Sequence, residues 1–156
     1  MFKPREVLDI AIRIEKNGEA IYRNAIQELS DRKLKEALKW MADEEVQHIE
    51  WFSSLKETIQ EASDIIADEL SGGMLEDLIG DQSFTLKDVD FSKIDNMDEL
   101  VHIFIEFEKD GIIFYEMLTP FVKNKETLDH LQKIITEEKC HIKKLESLLK
   151  SDLKLS

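Results

Sequence analysis

Six residues of this chain have the types and spacing to hold metal ions. Glu15, Glu45 and His48 recur as Glu108, Glu138 and His141, each pair separated by 93 residues. The flanking residues repeat with them. Ile14-Glu15-Lys16-Asn17-Gly18 and Tyr22 stand against Phe107-Glu108-Lys109-Asp110-Gly111 and Tyr115, and Glu44-Glu45 and His48-Ile49 against Glu137-Glu138 and His141-Ile142. The unit is a Glu followed by a Glu-x-x-His pair, and two such units form the donor set by which four-helix bundles hold two metal ions in their core.

Four helical stripes, read from apolar residues at spacings of three and four, would position these groups. They run through Leu8, Glu15 and Tyr22; Leu34, Glu45, His48 and Phe52; Val101, Glu108 and Tyr115; and Leu131, Glu138, His141 and Leu145. Pro4 suits the first turn of the first helix. Ser30 is the expected N-cap of the second, Asn96 with Glu99 has capping-box spacing for the third, and Asn124 can cap the fourth. Pro120 should end or kink the third helix, and Ser151–Ser156 should fray.

On every stripe a carboxylate occupies a position otherwise reserved for apolar side chains. Four unpaired carboxylates in one core would take up protons rather than stay charged, and no Lys or Arg lies on any stripe to offset them. Two divalent cations would balance four Glu charges, with two neutral imidazoles completing the set. The register agrees: Glu15 and Glu45 lie fifteen residues on either side of Ser30, and Glu108 and Glu138 fifteen on either side of Lys123. At about 1.5 Å per residue each pair sits roughly 22 Å from its turn, at matching height in an antiparallel hairpin. The expected fold is all-α: one domain over 1–156, with hairpin 1 at about 4–60, a crossover at about 61–95 and hairpin 2 at about 96–150.

Composition narrows the function. The formal net charge is −13, from 21 basic and 34 acidic residues, which disfavours nucleic acid or an anionic membrane as partner. The single cysteine, Cys140, excludes an intramolecular disulfide and a cysteine-ligated iron or zinc module within the sequence. No apolar run approaches a membrane span or a leader, so a cytoplasmic protein is expected.

These motifs resemble those of the ferritin-like di-iron carboxylate proteins, and among them the rubrerythrin-like proteins. The resemblance rests on Glu15-Lys-Asn-Gly with Tyr22, Glu45-Val-Gln-His48, Glu108-Lys-Asp-Gly with Tyr115, and Glu138-Lys-Cys-His141. It implies a ferritin-like four-helix bundle of two duplicated hairpins joined by a long crossover. It also implies two iron ions held by Glu15, Glu45, His48, Glu108, Glu138 and His141, with manganese or zinc as substitutes. The implied activity is a non-haem di-iron oxidoreductase that reduces hydrogen peroxide or dioxygen and works as a homodimer. Rubrerythrins proper carry a rubredoxin-like module with a Cys-ligated iron. With one cysteine here, electrons are expected from a separate donor such as a rubredoxin. Those proteins also place a further metal-binding Glu where this sequence has Gly111, and Glu19 is a candidate replacement. The alternative is an iron-binding or sequestering protein without efficient turnover.

Other residues read more plainly. Tyr22 and Tyr115 are expected to hydrogen-bond ligand carboxylates or to pack in the core. Gly18 and Gly111 leave room either for substrate or for close helix approach. His102 and His130 are expected at the surface, Cys140 as a half-buried inert thiol, Trp40 and Trp51 in packing or subunit contacts, and Glu44 and Glu137 on solvated faces.

Overall fold

The computed structural model describes residues 4–58 and 97–155. Among them run four long helices, α1 (Pro4–Glu28), α2 (Arg32–Thr58), α3 (Met97–Leu118) and α4 (Lys125–Leu155), with a single 3-10 turn at Thr119–Phe121. The crossover expected at 61–95 and Asn96 of the expected capping box lie outside the described residues. None of the described helices is long and apolar enough to cross a membrane.

Local chemistry sets the helix ends. α1 opens on Pro4, whose missing N–H costs nothing in a first turn. The cap of α2 is Asp31 and not Ser30: its carboxylate accepts a hydrogen bond from the Leu34 amide at 2.8 Å. A carboxylate also suits the positive end of the helix dipole better than a hydroxyl does. Asn124 caps α4 as expected, accepting from the Thr127 amide at 2.9 Å. Pro120 lies in the 3-10 turn that follows α3. α4 is helical to Leu155, past the expected end at 150.

α1 packs along α2 and α3 along α4, which gives the two antiparallel hairpins. They meet face to face. Tyr22 of α1 lies edge-on to Phe104 of α3, with ring centroids 5.2 Å apart. Trp51 of α2 stacks on His130 of α4 at 4.1 Å and an interplanar angle of 11°. His130 is therefore half-buried under an indole and not a free surface histidine, while His102 is exposed. Phe52, Phe104, Phe114, Tyr22 and Tyr115 are almost wholly withdrawn from solvent and, as aromatics, supply much of the apolar burial. Lys56 pairs with Asp9, and Arg23 with Asp43 at 3.1 Å, to brace α1 on α2 at their outer edges. Such exposed pairs add little to stability.

Removing the α2 cap should therefore be visible in equilibrium unfolding. Asp31→Ala is expected to lower stability by about 1 kcal/mol, and Ser30→Ala by much less, read as the shift in urea midpoint at constant slope.

Candidate metal centre

All six predicted donors converge. Glu15, Glu45, His48, Glu108, Glu138 and His141 are each 0–3% exposed, although charged side chains are almost never fully buried unless paired. They form two overlapping nests. Donor atoms of Glu15, Glu45, His48 and Glu138 all lie within 4.8 Å of one another, as do those of Glu45, Glu108, Glu138 and His141. Glu45 and Glu138 belong to both nests and Glu15 and Glu108 to one each.

The histidines are oriented. His48 Nδ1 faces the cage, 3.1 Å from Glu138 Oε1, 3.3 Å from Glu15 Oε2 and 3.7 Å from Glu45 Oε2. Its Nε2 points away and lies 2.6 Å from Glu137 Oε2. His141 repeats this: Nδ1 lies 3.0 Å from Glu138 Oε2 and 3.3 Å from Glu108 Oε1, and Nε2 lies 2.5 Å from Glu44 Oε2. With Nε2–H donating to an outer carboxylate, Nδ1 is left as the nitrogen that could bind a metal. An outer partner of this kind fixes the tautomer and ring plane of a ligand histidine. Glu44 and Glu137 are thus partly buried supports and not solvated residues. The signal was present in the sequence, since both repeats carry a second Glu immediately before the ligand Glu.

The tyrosines complete the frame. The Tyr22 hydroxyl donates to Glu108 Oε1 at 2.5 Å, and the Tyr115 hydroxyl donates to Glu15. Burial, then the negative charge of nearby carboxylates, holds both phenols well above their ordinary range, so they remain donors. Glu19 lies outside the cage, its Oε2 2.9 Å from Arg23 Nε. Cys140 is exposed, against the half-buried position expected; one residue before His141, it points away from the ligand face of α4. Trp40, 39% exposed, sets its ring edge-on to His141 at 5.1 Å.

The electrostatics describe a site built for cations. Burial would pull both imidazoles down, but their contacts with Glu138 and with Glu45 or Glu108 outweigh it. His48 is pushed up to about 11, and His141 rises further. Burial, then the charges of Glu108 and Glu45, pushes Glu138 well above the carboxylate range. Burial also acts to raise Glu108, yet its hydrogen bonds with Glu138, His141 and Tyr22 bring it below. Protons thus take the place of positive charge in the metal-free cage. Glu45 Oε1 and Glu138 Oε2, one oxygen of each residue common to both nests, are buried without a hydrogen bond. Glu138 Oε2 is close to His141 Nδ1 but not aligned with its ring N–H. Two orphaned oxygens on the shared carboxylates, hard donors on all sides and two inward imidazole nitrogens fit a pair of divalent transition ions.

The sequence model of the family Rubrerythrin matches residues 6–149. No curated protein matches the chain. Among solved structures, a protein from Thermotoga maritima described as ferritin-like diiron-carboxylate superposes with a TM-score of 0.69. It is 24% identical, and the match covers 97% of each chain. That likeness shows the fold, a ferritin-like four-helix bundle.

Two outcomes follow from the cage. Glu44→Ala and Glu137→Ala should each weaken metal affinity by about 10- to 100-fold without loss of helicity, whereas Glu36→Ala should not, as measured by competitive Co²⁺ titration. The metal-free protein should also lose stability as pH rises. A raised imidazole contributes fully below its unfolded value of 6.5 and loses that contribution as pH climbs through its folded value, about 11 for His48. Thermal midpoints of chelator-treated protein from pH 6.5 upward should fall, and those of the metal-loaded form should not follow, since metal replaces the protons.

Proposed function

The chain belongs to the rubrerythrin family, and from that premise we propose that it holds two iron ions in the Glu/His cage and uses them to reduce hydrogen peroxide, or dioxygen. A separate electron-carrier protein such as a rubredoxin would supply the electrons. The observation that carries this reading is the pair of overlapping buried nests sharing Glu45 and Glu138, with unpartnered oxygens on both shared residues.

Two ferrous ions in adjacent nests would supply one electron each, which together with two protons takes one hydrogen peroxide to two waters. The chain's own residues do the rest. Glu45 and Glu138, shared by both nests, would serve both ions. Glu15 and Glu108 hold the outer ones, each kept in place by a tyrosine from the opposite hairpin. Glu44 and Glu137 keep Nδ1 of each histidine directed inward. Tyr22 and Tyr115 retain their protons and leave the carboxylates free to bear charge. Manganese or zinc would satisfy the same donors, but zinc has no redox chemistry to offer.

A second reading, iron binding without efficient turnover, draws support from the third helix. Gly111 offers no carboxylate, and Glu19 is engaged by Arg23.

The test is the metal content of anaerobically purified protein and its optical spectrum before and after peroxide. About two irons per chain are expected, lost in both Glu45→Ala and Glu138→Ala, with a new diferric absorption after peroxide. Repeated bleaching and recovery with an added reductant supports the enzyme. One stoichiometric oxidation with no recovery supports sequestration. Absence of metal at unchanged helicity rejects both.

A further inference from the structure

Trp40 is a large apolar side chain left 39% exposed, and it lines a groove of about 480 Å³ between α2 and α4. Lys33 and Ala37 lie beside it on α2, and Lys144, Ser147 and Leu148 face them from α4. The indole joins this groove to the cage. Its ring is edge-on to His141 at 5.1 Å, and His141 Nδ1 faces the carboxylates of Glu138 and Glu108.

The charge around the groove is opposite to that of the chain. Segments 32–41 and 139–150, which carry its lining, hold eight basic and two acidic residues in a protein of net charge −13. Arg32 engages Glu36 at 3.0 Å and Lys139 engages Glu116 at 3.2 Å. Lys33 and Lys144 are exposed and in no ion pair among the described residues. The repeat does not reproduce this surface. The counterparts of Lys33, Ala37, Trp40 and Lys144 are Glu126, His130, Lys133 and Trp51. There Trp51 of α2 stacks flat on His130 of α4 at 4.1 Å, so the two walls touch, and Lys133 pairs with Glu137 at 3.8 Å. Of the two equivalent places, one is open and basic and the other is closed.

We propose that the α2–α4 groove is the docking surface for an acidic one-electron carrier protein. Lys33 and Lys144 hold carboxylates of the carrier on either side, and Trp40 is the contact that leads to His141. Charge complementarity selects the occupant, because a basic rim steers and orients a negative partner, and Trp is among the residues enriched as interface anchors. Electron exchange falls steeply with distance, and at Trp40 an aromatic ring in contact with a cage histidine reaches solvent. Each docking passes one electron: the carrier is oxidised by one, and one ferric ion of the pair becomes ferrous, so two dockings restore the pair after one peroxide. This rests on the reading of the cage as a di-iron redox site and gives that reading its place of electron entry.

Calorimetric titration with a zinc-substituted rubredoxin of net negative charge reads docking without electron transfer. Wild type should bind it at low salt, with affinity falling as salt rises. Lys33→Glu combined with Lys144→Glu should weaken binding by about tenfold or more at unchanged helicity and metal content. Lys123→Glu, the same charge change in the α3–α4 turn, should not. With saturating reduced iron rubredoxin, Trp40→Leu should slow single-turnover reduction of the diferric protein severalfold while iron content holds. No binding by wild type, equal loss in Lys123→Glu, or an unchanged rate in Trp40→Leu would overturn the proposal. Self-association of wild type that the double reversal abolishes would overturn it in favour of a second copy. A thermal midpoint lowered by the double reversal, with no rubredoxin bound by wild type, would assign the groove to the chain's own acidic stretch 59–96. Wild type that docks rubredoxin as described but holds no iron would count against the di-iron reading and not against the docking surface.

Discussion

Four carboxylates with two histidines but no Lys or Arg among them lie at the centre of an apolar bundle, and their charge must be cancelled there. A buried carboxylate alone would stay protonated at a cost in hydrogen bonding, and four together repel one another in a medium that screens poorly. Without metal, and against the effect of burial, the surrounding carboxylates draw the His48 and His141 imidazoles upward, and burial with the charges of Glu108 and Glu45 raises Glu138, so the cluster favours bound protons. A proton balances charge but does not coordinate: Glu45 Oε1 and Glu138 Oε2 stay without hydrogen bonds. Divalent ions satisfy both requirements. Every helix supplies one carboxylate to this cluster, so the balance can be struck only when all four are assembled.

The supporting hydrogen bonds make that dependence stricter. Tyr22 of α1 reaches Glu108 of α3, and Tyr115 of α3 reaches Glu15 of α1. His48 of α2 meets Glu137 of α4, and His141 of α4 meets Glu44 of α2. All four links cross between hairpins. Each hairpin carries its own Glu…Glu-x-x-His set, but the groups that orient that set belong to the other hairpin. A docked pair therefore has a preorganised site, whereas an isolated hairpin would have ligands without supports. Preorganisation of this kind decides whether donors sit within the tolerance a metal requires.

The convergence of the six Glu and His was legible in the sequence because two independent regularities coincided there. The 93-residue repeat marked which Glu and His mattered, and helical periodicity showed that they pointed inward. Glu44 and Glu137 share the repeat but not the helical periodicity. They lie beside the stripe, where periodicity assigns solvent, and their role appears only when the opposing helix brings a histidine to them. Asp31 displaced Ser30 as the α2 cap because turn register is set within a residue or two, below the resolution of pattern reading. Trp40 and His130 likewise take their surroundings from the facing hairpin, which spacing along one helix does not encode.

The repeat is kept closely in its polar groups and loosely in its apolar ones, and the physics of the two kinds of contact explains why. Metal ligands and their hydrogen-bond partners must hold atoms within a few tenths of an ångström, so both halves retain the same Glu, His and Tyr. Apolar packing asks mainly that total volume be filled, which allows the halves to exchange bulk. Ala11, Ile14 and Ile21 of α1 stand opposite in the repeat to Phe104, Phe107 and Phe114 of α3. Phe104 and Phe107 of α3 both set their rings edge-on to Tyr22 of α1, where the α1 counterparts are smaller. In the other direction Phe52 of α2 answers Leu145 of α4, and the Phe52 ring stacks on Tyr115 at 5.6 Å. The two overlapping nests consequently have unlike walls: His141 lies against the Trp40 indole, while the repeat counterpart of Trp40 is Lys133. The donors of the two nests are matched, so the asymmetry between them lies in the side chains packed around the donors.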